Sequence, residues 1–381
     1  MTGYPEGFGP AGYPPPGHPP QEYPPPGYPP SGYYAQPGYG YYPPPPPQAL
    51  KPGVVALRPL TMSDIFNGAV SYIRLNPKAA LGMTAIVVII AQLLAVLIQI
   101  GPMTSITAMD SATFGTAGPE LSDPAFIGLM LSSLAGAVTT SIAAIVLNGL
   151  LTVVVGRSVF GAKITAAEAW RRARGRLLPL LAFTALEFLA VAVIAGLAAG
   201  LTTLMYYLAG VGAAVAVGLL LMLGVVALLM WGGTLLVFAP VAIVLERASI
   251  VDAVSRSLAL VRKAFWRVLG IWLLGTLVAS VIAGAVAMPF SLVGQFMIMA
   301  GGSTTATVVA AVLISIGGAI GQIITAPFTA GVVVLLYTDR RIRAEAFDLV
   351  LQSGAGDRAA DADADGAGDA IDRLWLTPTR P

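Results

Sequence analysis

Six apolar stretches, at about 79–101, 126–156, 177–203, 210–245, 266–298 and 306–337, dominate the chain. Each reaches the roughly 20 residues that an α-helix needs to cross the hydrocarbon core of a bilayer. In lipid the backbone must satisfy its own hydrogen bonds, and a helix does this within one segment. The expected fold class is therefore all-α: a polytopic membrane protein with six transmembrane helices. Composition agrees, since 56% of the residues are hydrophobic and 10% charged, against roughly 25% charged in a soluble domain. Several stretches exceed the minimum length, which predicts tilt, kinks or interfacial ends. Pro240, Pro289 and Pro327 are the expected kink sites.

The charges fix an expected orientation. The connection 102–125 carries Asp110, Glu120 and Asp123 but no Lys or Arg, and the connections at 205–209 and 301–307 carry no charge. All 21 Lys and Arg residues fall before the first stretch, between the second and third, between the fourth and fifth or at the fifth's first turn (Arg267), or after the sixth. The positive-inside rule then places both termini in the cytoplasm, in an inner (plasma) membrane. No basic run followed by an apolar core opens the chain, so no cleaved signal peptide is expected.

An internal repeat organises the six stretches. Each pair follows a short amphipathic segment with a helix-start signal: one from Thr61, one from Thr165 and one from Ser249. In the first, Met62, Ile65, Phe66, Ala69 and Ile73 share a face. In the second, Thr165 and Glu168 have capping-box spacing. In the third, Val251, Val254, Leu258, Val261 and Phe265 share a face, with Arg256, Arg262 and Lys263 elsewhere on the helix. The architecture reads as three repeats, each an interfacial amphipathic helix followed by a transmembrane hairpin. The repeats share one topology, unlike the inverted repeats that frame many transporter sites. Arg171, Arg172, Arg174, Arg262 and Lys263 are candidate lipid-head-group contacts; a plain connector role is the alternative. Trp170 and Trp266 sit where interfacial anchors are expected. "GLAAG" at 196 and "GGAIG" at 317 offer small-residue contacts between helices.

The stretches "LRPLTMSDIFNGAVSYIRLNPKAALG" at 57, "APVAIVLERASIVDAVSRSLALVRKAFWRVLG" at 239 and "LLYTDRRIRAEAFDLVL" at 335 carry a family resemblance. Over about 57–351 the chain resembles actinobacterial multi-pass proteins bearing the membrane domain named after glycerophosphoryl diester phosphodiesterases. With its tail it is similar to mycobacterial proline- and glycine-rich transmembrane proteins. The resemblance implies membership of a membrane-domain family and no established activity. The phosphodiesterase reaction belongs to a separate soluble domain that needs catalytic histidines, and this chain holds only His18.

Two tails flank the membrane domain at 53–351. Residues 1–52 repeat a Pro/Gly/Tyr unit, as in "GYPPPGHPPQ" at 12 and "EYPPPGYPPS" at 22. Proline blocks helix and sheet, so a disordered cytoplasmic tail is expected. It acts either as a spacer or as a ligand for proline-recognition domains or a self-associating segment. Residues 352–381 read as a disordered acidic cytoplasmic tail. Asp361, Asp363, Asp365, Gly366, Asp369 and Asp372 have calcium-loop spacing, but Gly368 and the lack of flanking helix patterns favour an unstructured Asp/Ala/Gly run.

Chemistry has few places to reside. The chain lacks cysteine, which excludes thiol catalysis and thiolate metal sites. No nucleotide loop, catalytic triad or His/Glu metal spacing occurs, so no cofactor, metal or nucleic-acid partner is expected. Glu187 stands alone as a charge deep in a stretch, about 15 Å into the third span. Such a carboxylate should be neutral, paired or facing water. Gln92, Gln99, Asn148, Gln295 and Gln322 are its candidate hydrogen-bond partners. Helix glue, proton or cation handling, and contact with a polar substrate remain open for it. The sequence thus supports a non-enzymatic integral membrane protein, a scaffold or accessory factor that organises lipids or protein partners through the Pro-rich tail and basic interfacial helices. The alternative is a transporter or lipid-handling protein with a polar cavity near Glu187.

Overall fold

The computed structural model describes residues 53–55, 58–108, 124–300, 303–347, 349 and 372–376. The expectations for the Pro-rich tail and for the calcium-like spacing at 361–369 lie outside the described residues. Helices make up the fold, and no strand occurs among the described residues. They are α1 (Met62–Leu75), a π-helical turn (Lys78–Gly82), α2 (Met83–Ala108), α3 (Pro124–Val159), α4 (Ala166–Leu236), α5 (Ala239–Leu245), α6 (Ile250–Arg262), α7 (Phe265–Met299) and α8 (Thr304–Glu345).

Five helical segments are long and apolar enough to cross a membrane: Lys78–Gln99, Met130–Val159, Ala166–Leu245, Phe265–Met299 and Thr304–Glu345. The third of these contains two of the six expected spans. At 71 residues, α4 would reach about 107 Å if straight, several times the bilayer core. It turns back instead at Gly210, where φ is 79° and ψ −175°. Only glycine occupies that region without strain. The two arms then lie together, since a side chain on Gly218 would stand 3.2 Å from Thr202. The sequence reading put this connection at 205–209, yet the helix continues to Gly210, where a single residue makes the break. Gly210→Ala is expected to cost about 1–3 kcal/mol, read as a lower midpoint in thermal unfolding of the detergent-solubilised protein. An unchanged midpoint would mean that the turn is not fixed at this residue.

The three leading segments start as the sequence predicts, each with a side-chain cap. Thr61 Oγ1 accepts from Asp64 N–H at 3.2 Å, Thr165 Oγ1 from Glu168 N–H at 3.3 Å, and Ser249 Oγ from Asp252 N–H at 3.2 Å. Such caps satisfy orphan N–H groups of the first turn. The units then differ. The first leading helix ends at Asn76-Pro77 and the third at Lys263-Ala264, whereas the second runs unbroken into its span through Pro179. Of the three expected kink prolines, Pro240 opens a new helix after a break at Val237–Phe238. Pro289 and Pro327 stay inside α7 and α8.

Packing is uneven along the length of the long helices. The α7–α8 hairpin is close-set, because Gly317 lies where a Cβ would stand 2.7 Å from Phe290, and Gly321 where it would stand 3.1 Å from the Ala283 carbonyl. The "GGAIG" motif therefore works as a contact, whereas Gly196 and Gly200 of "GLAAG" face open space. The core concentrates at the end where the Lys and Arg residues collect, around Ile65, Tyr72, Val154, Phe238, Ala242 and Leu335. Toward the tip of the α4 hairpin the apolar side chains are exposed, as lipid contact requires.

Candidate functional site

At the basic end the leading helices do not lie separately on a surface. They are joined to the ends of α3, α7 and α8 by buried polar contacts. Asn76, which caps α1, donates from Nδ2 to Ser158 Oγ at 2.9 Å and accepts from Ile164 N–H at 3.1 Å, linking the first and second units. Tyr72, fully buried, donates to the Pro327 carbonyl. Burial pushes its phenol well above the ordinary value, so it remains a donor.

Two carboxylates organise the rest. The Asp339 side chain has no exposed surface. It accepts from Leu60 N–H at 2.8 Å, Arg343 Nε at 2.9 Å and Arg267 Nη2 at 3.3 Å. The Leu60 carbonyl accepts from the same two arginines at 2.7 and 3.1 Å. Glu246, with a side chain 1% exposed, meets Arg341 at 3.2 Å and pairs with Arg256, and it accepts from the Tyr337 hydroxyl. Burial opposes the charge on Arg256, but Tyr337 and Glu246 outweigh it and hold the guanidinium above the usual arginine value.

A third group opens to the surface. Arg157 and Arg172 converge on Glu168 at 2.9 and 2.8 Å, and Arg172 also pairs with Asp372. Beside them lies a cleft of about 620 Å³ lined by Arg171, Arg172, Arg174, Arg176, Arg247 and Asp372. Of the five candidate head-group contacts, Arg171, Arg172 and Arg174 come together here. Arg262 and Lys263 are exposed at the end of α6 and do not line the cleft.

Asp372 lies in the tail at 352–381 that is expected to be disordered. Within it, residues 372–376 form a helical turn docked on the basic end. Trp375 is 2% exposed, with its ring 5.7 Å from Phe160 and 5.2 Å from Phe347. Its carbonyl accepts from Arg341 Nη1 at 3.2 Å. Burial of a large aromatic ring supplies the drive that an Asp/Ala/Gly composition lacks.

The intramembrane candidates are dispersed. Glu187 is half-buried and continues the stripe of Leu180, Phe183 and Thr184 on α4. Leu180 packs at Gly149 of α3, so the neighbouring Asn148, which is exposed, lies about 10 Å along the helix from the level of Glu187. Gln92 and Gln99 line a separate cavity of about 210 Å³ between α2 and α8, together with Ser315. Gln322 is half-buried on α8, and Gln295 is exposed on α7. The contacts of α4 are with α3, α5, α6, α7 and the π-helical turn, with at most marginal contact to α2 and α8, so Gln92 and Gln322 are not brought to Glu187. Among the described residues Glu187 forms no hydrogen bond or ion pair.

The sequence reading missed Glu246, Asp339, Asn76 and Arg247. None of them carries a clear local signal; Arg247 follows the C-cap Glu246 of α5 and takes φ 53°, where a glycine is usual. Among the described residues no group of three or more His, Asp or Glu side chains could hold a metal ion. Comparison with family models, with curated proteins and with solved structures found no match to this chain.

Proposed function

We propose that this multi-pass membrane protein is a non-enzymatic scaffold or accessory factor, a member of the actinobacterial family it resembles. Its basic end faces the cytoplasm and organises lipids or protein partners there. The observation that carries this reading is the basic end itself. Leading segments from all three units, the attachment of the Pro-rich tail and the docked residues 372–376 form one folded layer. Residue 53, where the tail joins, is seated against the backbone of Val159–Gly161, and Val54 N–H donates to the Ser158 carbonyl at 3.2 Å. A tail tethered to a rigid platform raises the local concentration of whatever it binds. The transport alternative asks for a polar cavity near Glu187, whereas the cavity that holds Gln92, Gln99 and Ser315 lies between α2 and α8, away from α4, and is lined mostly by apolar side chains.

Deletion of residues 1–52 is expected to abolish the cellular phenotype and to strip partners from a co-purification survey. Glu187→Gln is expected to leave both unchanged. The reverse pattern would establish transport and remove the scaffold reading.

A further inference from the structure

The cleft beside α4 gathers five guanidinium groups around one carboxylate, and that carboxylate arrives on the C-terminal segment. Arg172 is engaged by Glu168 and Asp372. Arg171, Arg174, Arg176 and Arg247 form no ion pair among the described residues. Burial and, to a lesser extent, the neighbouring Arg247 both oppose the charge on Arg176. Arg247 also sits at φ 53°, a conformation that side chains other than Gly, Asn and Asp seldom adopt. Like charges thus converge on a concave surface against both repulsion and backbone preference. Backbone outliers of this kind cluster at ligand sites.

The chemistry of the lining selects the ligand. Planar guanidinium forks match the oxygens of phosphate in paired hydrogen bonds, and several together favour a phosphate over a lone carboxylate. The cleft also adjoins apolar surface. Arg176 directly precedes the apolar span, where Leu178 is 76% exposed, and Trp170 of the same helix is 48% exposed. A ligand with a phosphate and acyl chains meets both surfaces at once.

We infer that Arg171, Arg174, Arg176 and Arg247 bind the phosphate of an anionic phospholipid head group, and that Asp372 fills part of the same site when no lipid is bound. The inference names the ligand of the basic layer and rests on reading that layer as a lipid-organising platform. Bound lipid displaces Asp372 from Arg172, so occupancy of the cleft and docking of residues 372–376 oppose one another.

The test uses full-length protein in zwitterionic detergent, titrated with short-chain phosphatidylglycerol and followed by native mass spectrometry. Phosphatidylcholine and inorganic phosphate are the other two probes. The double variant Arg176→Gln/Arg247→Gln is expected to weaken phosphatidylglycerol binding about a hundredfold, roughly tenfold for each lost charged contact. Arg74→Gln/Lys78→Gln removes equal charge from the same end outside the cleft and should change affinity less than twofold. Asp372→Asn should tighten binding several-fold by removing the internal competitor. Equal losses in the two double variants would show diffuse attraction to anionic surfaces and overturn the site. Inorganic phosphate binding as tightly as the lipid would overturn the lipid assignment. Should the arginine variant fail to fold, Asp372→Asn decides alone, and unchanged or weaker binding overturns the proposal. Loss of lipid binding in the arginine variant, with a phenotype insensitive to deletion of 1–52, would sustain the cleft while removing the tail-based scaffold.

Discussion

Glu246→Ala should destabilise the helical domain by about 3–5 kcal/mol, the range for removing one partner of a buried ion pair. The cost comes from the cations left behind. Arg341, 4% exposed at its side chain, would keep Glu345 at 3.0 Å and the Trp375 carbonyl at 3.2 Å but lose its most deeply buried carboxylate. Arg256, with 17% side-chain exposure, would keep only its contacts with Glu345 and Tyr337. The Tyr337 hydroxyl would lose its acceptor in the apolar layer around Phe238, whose ring lies 5.4 Å away. Glu246→Gln preserves the acceptor and should cost less, which separates the charge from the hydrogen bond. Equilibrium unfolding in mixed micelles measures both variants. A loss below about 1 kcal/mol for Glu246→Ala, the level of an exposed pair, would show that the network does not hold the basic end together.

Trp375→Ala should act differently, with a comparable energy and another readout. Truncating a fully buried Trp costs about 3–5 kcal/mol. That loss falls on a segment of five described residues, 372–376, held by this ring, the Asp372–Arg172 pair and the Arg341 contact. The segment should therefore undock while the helices stay folded. Hydrogen exchange at residues 372–376 is expected to accelerate at least a hundredfold, with about 1.4 kcal/mol for each factor of ten, and the main unfolding transition should move little. Unchanged exchange would mean that the acidic pair alone retains the segment.

The parts legible in the sequence are those written in local periods. Span positions follow from apolar length, and helix starts follow from Thr61, Thr165 and Ser249 with an acidic residue three positions on. The arginine-rich start of α4 was also visible as a candidate head-group region. What local reading missed are the partnerships between distant positions. Asp339 lies 279 residues from Leu60, and Glu246 lies 91 residues from Tyr337. Neither carboxylate differs from an ordinary surface charge when only its neighbours are known. Local reading likewise gives the basic residues beside the spans a common interfacial or connector role. Arg157, Arg340 and Arg341 are instead buried, while Arg171, Arg174 and Arg247 face outward. The stretch "IDRLW" at 371 does interrupt the Asp/Ala/Gly run with apolar residues, so a signal for the docked segment was present. The turn between the two arms of α4 was legible to within a residue, as the connection at 205–209, but the continuous apolar run does not single out Gly210 as the one residue that breaks the helix.

The bond from Leu60 to Asp339 has a consequence for how the chain is made. Its acceptor is synthesised 279 residues after its donor. At about 5–20 residues per second, the first leading helix waits roughly 15–55 s for its last anchor. Until then Leu60 and Arg267 must be served by water or by the translocation machinery. The basic end is closed by late segments, α8 and then residues 372–376, so a chain stopped before α8 leaves its beginning unfinished as well as its end.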